Sequence, residues 1–154
     1  MNVPRIVCLL SALLAPGSVW AAGHPLHKVA DGISVYLGVV PAAVVQERFE
    51  NRPEAVMHGG ASGKAGRYHV MVALFDEHSG HRLTAAEIEA TVSELGLSGS
   101  RKILEPMEVG GVTTYGNYFE LSGAGFYRIV LEIRRPGVAR ATWTSFQYQL
   151  SRAR

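Results

Sequence analysis

Cysteine is nearly absent from this chain. Of 154 residues only Cys8 is one, and it lies in an N-terminal apolar run. Once that run is removed no thiol remains, which excludes disulfides, a thiolate nucleophile and a thiolate metal site. Charge of one sign is scarce as well. The net charge is +2 with histidines neutral, and no basic run exceeds Arg134-Arg135, so nucleic-acid binding has no electrostatic footprint. The apolar run itself, Ile6 to Leu14, is far short of the roughly 20 residues a membrane-spanning helix needs. A Gly-x-Ser-x-Gly elbow and a His-Glu-x-x-His motif are both missing. Acidic residues are scattered singly, with Glu120 and Glu132 read as ordinary outward strand residues. The expectation is a protein that is not an enzyme.

What is present begins with an export signal. Met1 to Arg5 is a short positive segment, Ile6 to Leu14 is its apolar core, and Ala15-Pro16-Gly17 breaks the helix before Ser-Val-Trp-Ala-Ala. Val19 and Ala21 fit the small-residue cleavage rule, so residues 1–21 are expected to be a signal peptide and the mature chain to start at Ala22 in the periplasm. Residues 22–31 read as an exposed tail. Residues 32–154 are one domain's worth of chain.

Within that domain the dominant period is two. Ile33, Val35, Leu37 and Val39 alternate, and Pro41 stops the strand before a short helix over Ala42 to Phe49. The clearest strand follows a Gly-rich loop. It sets Tyr68, Val70, Val72 and Leu74 on one face and His69, Met71, Ala73 and Phe75 on the other. Thr84 to Leu97 fits a helical stripe or a strand, and a turn followed by a strand is favoured because every neighbour is β. Pro106 confines its segment to a sheet edge, and Gly110-Gly111 turns the chain. Tyr127, Ile129, Leu131 and Ile133 alternate inward, and Phe146, Tyr148 and Leu150 close the domain. Leu121 to Tyr127 resembles the tyrosine corner of immunoglobulin-like sandwiches, in which a Tyr after a glycine turn bonds back to the backbone. The expected fold is all-β, an Ig-like antiparallel β-sandwich of about seven strands.

Chemistry concentrates between Val56 and Asp76. Met57 and His58 sit on the Gly-rich loop, and His69 and Met71 share one strand face. If that face is the interior, Met71 is core filler and His69 needs a polar partner. If it looks outward, imidazole and thioether can hold a soft ion: imidazole suits copper and zinc, and thioether suits Cu(I). His78 and His81 fall in or beside a tight turn and read as solvated turn residues. Cleavage before Ala22 would add a separate site. The free amine, two backbone nitrogens and the His24 imidazole make the square-planar set that Cu(II) and Ni(II) prefer.

Met-His-Gly-Gly at 57–60, Tyr-His-Val-Met-Val-Ala-Leu-Phe-Asp at 68–76, Tyr-Gly-Asn-Tyr-Phe at 115–119 and Gly-Phe-Tyr-Arg-Ile-Val-Leu-Glu-Ile at 125–133 carry a resemblance. From about Gly32 to Leu150 the chain resembles the small exported Ig-like proteins of periplasmic copper handling, the copper-resistance carriers and YtkA-like domains. The resemblance implies a carrier that binds copper through His and Met and delivers it to a membrane metal transporter or an oxidase-assembly protein. The candidate ligands are His58, His69, Met57, Met71, Met107 and His24. Beyond Met1 only Met57, Met71 and Met107 are methionines, fewer than in Met-rich carriers. A His-dominated Cu(II) or zinc site therefore stands beside a Cu(I) site, with nickel possible at the tail. A reading of another class is an Ig-like interaction module without metal, docking on an envelope or membrane complex. What separates the two is whether His58 and His69 converge with Met57, Met71 or Met107 nearby.

Overall fold

The structure, a computed structural model, describes residues 26–49 and 65–151. The signal segment 1–21, His24, Met57 and His58 lie outside the described residues. The elements are β1 (His27–Ala30), β2 (Ile33–Pro41), α1 (Ala42–Phe49), β3 (Arg67–Asp76), β4 (Glu87–Glu94), β5 (Ser100–Val109), β6 (Val112–Glu120), β7 (Gly125–Arg134) and β8 (Thr142–Leu150).

Alternation in the sequence becomes two-faced strands in the fold. In β2 and β3 the register Val35↔Leu74, Leu37↔Val72 and Val39↔Val70 stacks the apolar set on one side, where Val70, Val72 and Leu74 are fully buried. In β7 Tyr127, Ile129, Leu131 and Ile133 are buried as the pattern requires. Both sets join a single core with Tyr115, Phe119, Leu121 and Phe146. Burying each such side chain contributes about 1.5–3 kcal/mol, so the inward face of every strand is strongly specified.

All pairings are antiparallel, and the eight strands form one hydrogen-bonded order, β1-β2-β3-β6-β5-β4-β7-β8. Among the described residues the count is thus eight where about seven were expected. Instead of two separate sheets there is one, bent until it is nearly barrel-shaped. The bend falls in β5: Ser100–Leu104 pairs with β4, and Glu105–Val109 pairs with β6. Pro106, expected at a sheet edge, sits instead in a central strand. It comes just after β5 has left β4, so only β6 is its partner there and the missing N–H disrupts no second ladder. At the seam, Lys28 of β1 places its ammonium 5.7 Å from the Phe146 ring centre in β8.

Residues 22–31, read as an exposed tail, contribute a strand from His27 onward. Its side chains are mostly exposed but its backbone pairs with β2. The connection is the two-residue Asp31-Gly32, both at positive φ (47° and 72°), as the twist-matched hairpin turn demands. Gly110-Gly111 repeats the device between β5 and β6, at 61° and 79°. The helix over Ala42–Phe49 forms where expected. So does the favoured strand in 84–97: β4 pairs with β7 from Glu87↔Arg134 to Glu94↔Tyr127, a length of ladder that a short helical stripe cannot outweigh. The tyrosine corner is present too. The Tyr127 hydroxyl donates to the carbonyls of Ser122 at 2.9 Å and Gly123 at 3.3 Å. Glu132, read as an outward residue, is instead 7% exposed. It lies under Arg101, 3.3 Å away, and is also paired with Arg134.

Candidate metal centre

The face of β3 turned away from the core carries His69 and Met71. Its end is nevertheless covered. The helix α1 follows Pro41 directly and packs against β2 and β3. Ala42 of the helix packs with Tyr118 of β6 in a small second apolar cluster. His69 pairs across the ladder with Tyr118, their rings 4.6 Å apart and tilted by 42°. The Arg67 guanidinium lies 4.7 Å from the centre of the Tyr118 ring. Burial pushes the Tyr118 phenol above its ordinary pKa, although Arg67 pulls the other way, so the phenol stays neutral around the imidazole. Only 1% of His69 is left exposed.

The residue that organises this face is a glycine. Gly116 of β6 stands opposite Met71 of β3 on one side and Glu105 of β5 on the other. Two rows along, Met107 pairs with Thr114. A Cβ placed on Gly116 would lie 2.8 Å from both Cε1 and Nε2 of His69 and 3.0 Å from Sδ of Met107. A methyl there would force one of them to shift, so the space left by the missing side chain is taken up by the imidazole and the thioether, both within 3.0 Å of that one point. Met107 is 7% exposed. Met71, half-buried in the same row as Gly116, rests instead over Gly38 of β2, its Cε 3.4 Å from where a Cβ would be.

Of the sequence-predicted ligands, then, the structure brings together His69 and Met107 and sets Met71 beside them. Met57, His58 and His24 are outside the described residues. Among the described residues no three His, Cys, Asp or Glu side chains are grouped to hold an ion, so within those residues the candidate ligands beside His69 are its thioether neighbours. His78 and His81 are exposed at the turn, where Asp76 accepts hydrogen bonds from the Ser79 amide and hydroxyl at 2.8 and 2.7 Å. Those bonds hold the Asp76 carboxyl below its usual pKa. Sequence reasoning missed two residues, Gly116 and Tyr118. Both lie in Tyr-Gly-Asn-Tyr-Phe, and a glycine inside a strand pattern is itself a signal of close approach by another group.

No protein-family model matches the chain, and no curated protein sequence does. The fold is shared with solved structures at low identity. The copper-reconstituted P19 protein of Campylobacter jejuni is 13% identical over 81% of this chain and 92% of that one, with a TM-score of 0.63. FetP of uropathogenic Escherichia coli, expressed in the periplasm, is 13% identical over 82% and 93%, with a TM-score of 0.64. A DUF4426 family protein from Pseudomonas aeruginosa is 16% identical over 80% and 92%, with a TM-score of 0.60.

Proposed function

We propose that this chain is an exported, non-catalytic copper-binding protein that carries the ion as cargo, for delivery or for resistance. The observation that carries the reading is the meeting of the His69 imidazole and the Met107 thioether over Gly116. Two ligand types that bind the same soft metal share one gap, most of the way out of solvent. Two of the structurally similar proteins point the same way, since P19 of Campylobacter jejuni and FetP of Escherichia coli both have copper-bound forms.

Donor chemistry selects among the metals. His69 is joined by thioether neighbours, and thioether favours Cu(I) over zinc and nickel, which prefer imidazole or carboxylate. Met57 and His58 are proposed to complete the set, on sequence grounds alone. The proposed destination is a membrane metal transporter or an oxidase-assembly protein in the periplasm. Among the described residues no helix is long and apolar enough to cross a membrane.

The interaction-module reading rests on a different part of the surface. Ile103 is 64% exposed and Trp143 is 58% exposed, in the ladder row that runs through Glu89 and Glu132. A titration of the protein with Cu(I), Cu(II), Zn(II) and Ni(II) decides between the two. Tight stoichiometric Cu(I) binding supports the carrier. Binding of none of the four leaves the interaction module.

A further inference from the structure

Met71 stands between two glycines in a single ladder row, Gly38↔Met71↔Gly116. Both gaps lie on the face that carries His69, and they differ in what fills them. The Gly38 gap is filled by Met71 itself, whose Cε is 3.4 Å from the position of a Cβ there. The Gly116 space is taken by the His69 ring, with Cε1 and Nε2 both 2.8 Å from the position of a Cβ there, and by Sδ of Met107 at 3.0 Å. Directly opposed residues of an antiparallel pair have Cβ atoms about 4.5–5.5 Å apart. An unbranched thioether with three rotatable bonds can therefore reach either gap from one backbone position.

Exposure adds the second observation. His69 and Met107 are buried at 1% and 7%, whereas Met71 is only half-buried. Of the three side chains Met71 is thus the one that solvent reaches most.

We infer that Met71 is a mobile third ligand, parked over Gly38 without metal, that swings over Gly116 to capture Cu(I) and closes the His69–Met107 centre. The inference rests on the reading of that centre as a copper site. It gives each glycine a purpose: Gly116 makes room for the bound ion and its ligands, and Gly38 makes room for the ligand that lets go. A side chain with two resting places also supplies a route for release. Met71 can leave first, drawing the ion toward the surface, where an acceptor with its own soft ligands can take it by stepwise exchange.

The test uses the protein labelled with carbon-13 at its methionine methyls, titrated with Cu(I) and followed by NMR, with the Met71 signal assigned through Met71→Leu. The expected result has three parts. The Met71 and Met107 methyls shift together. The Met71 methyl exchanges its nuclear Overhauser contacts to residue 38 for contacts to Met107 and the His69 ring. Met71→Leu weakens Cu(I) binding by about tenfold or more, the scale of losing a supporting group at a metal centre. Gly38→Val, which fills the parking place with a strand-compatible side chain, should slow transfer of Cu(I) to a chelator. If Met107 shifts while Met71 keeps its contacts and Met71→Leu binds normally, the mobile ligand is overturned and the centre stands. If neither methyl responds to Cu(I), the centre is overturned and this inference falls with it.

Discussion

Nε2 of His69 and Sδ of Met107 flank one missing side chain, 2.8 and 3.0 Å from where Gly116 would carry a Cβ. The two residues come from strands that do not pair with each other. Only β6, which pairs with both β3 and β5, brings them within reach.

Gly116→Ala therefore tests the gap directly. The added methyl must displace the imidazole or the thioether, and overpacking of this kind costs about 1–3 kcal/mol. Denaturation should show that loss, and Cu(I) affinity should fall with it. A variant of normal affinity would mean that the ion does not occupy this gap.

The core assignment is tested at Ile129, which is fully buried in β7. Removing its buried methylenes costs transfer energy and leaves a cavity, so Ile129→Ala should lose about 2–5 kcal/mol in chemical denaturation. A loss under about 0.5 kcal/mol, normal for surface changes, would invert the faces of the sheet.

Alkali should unfold the protein through its tyrosines. Burial raises the Tyr115, Tyr118, Tyr127 and Tyr148 phenols above their ordinary value of 10.0. At Tyr127 the Glu94 charge adds to the shift. The fold favours the neutral form, so this stability is fully present below the free phenol pKa and is lost as pH rises through the raised values. Denaturant midpoints should drop from about pH 10 upward. Tyr127→Phe should cost about 0.5–1.5 kcal/mol at neutral pH by removing the corner hydrogen bond, and should show a shallower alkaline loss. Parallel alkaline curves would mean that Tyr127 does not contribute to it.

The amino terminus carries its own prediction. Mass spectrometry of periplasmic material should find Ala22 as the first residue, and Cu(II) should then give a visible d–d band that His24→Ala abolishes. A first residue of Gly23 or His24 would exclude the square-planar set.

The strands were legible because burial imposes a period of two that no other structure tolerates. The faces of β3 and β7 follow from Val70-x-Val72-x-Leu74 and Ile129-x-Leu131-x-Ile133, and β4 was recoverable by the same rule. Asp31-Gly32 is a hairpin signal, but the His27–Ala30 segment before it is short and mostly exposed, so no inward period of two marks it as a strand. Other features were hidden because they depend on register. That His69 would be buried against Tyr118, that Met107 would arrive beside it from 38 positions further along the chain, and that Glu132 would sink beneath two arginines are all cross-strand facts. Gly116 shows the limit best. The sequence shows a glycine in a strand, and only the ladder tells what needs its space.

The central claim is that His69 and Met107 hold one copper ion, and competition titration with Cu(I) tests it most directly. His69→Ala and Met107→Leu should each weaken binding by about tenfold or more. The double variant should add little beyond the worse single, because both groups act on one ion. Affinity should also fall in acid, since ligation requires neutral imidazole. His78→Ala and His81→Ala, at the exposed turn, should bind as the unmodified protein does. Unchanged Cu(I) affinity in both His69→Ala and Met107→Leu would contradict the account and place any copper elsewhere in the chain.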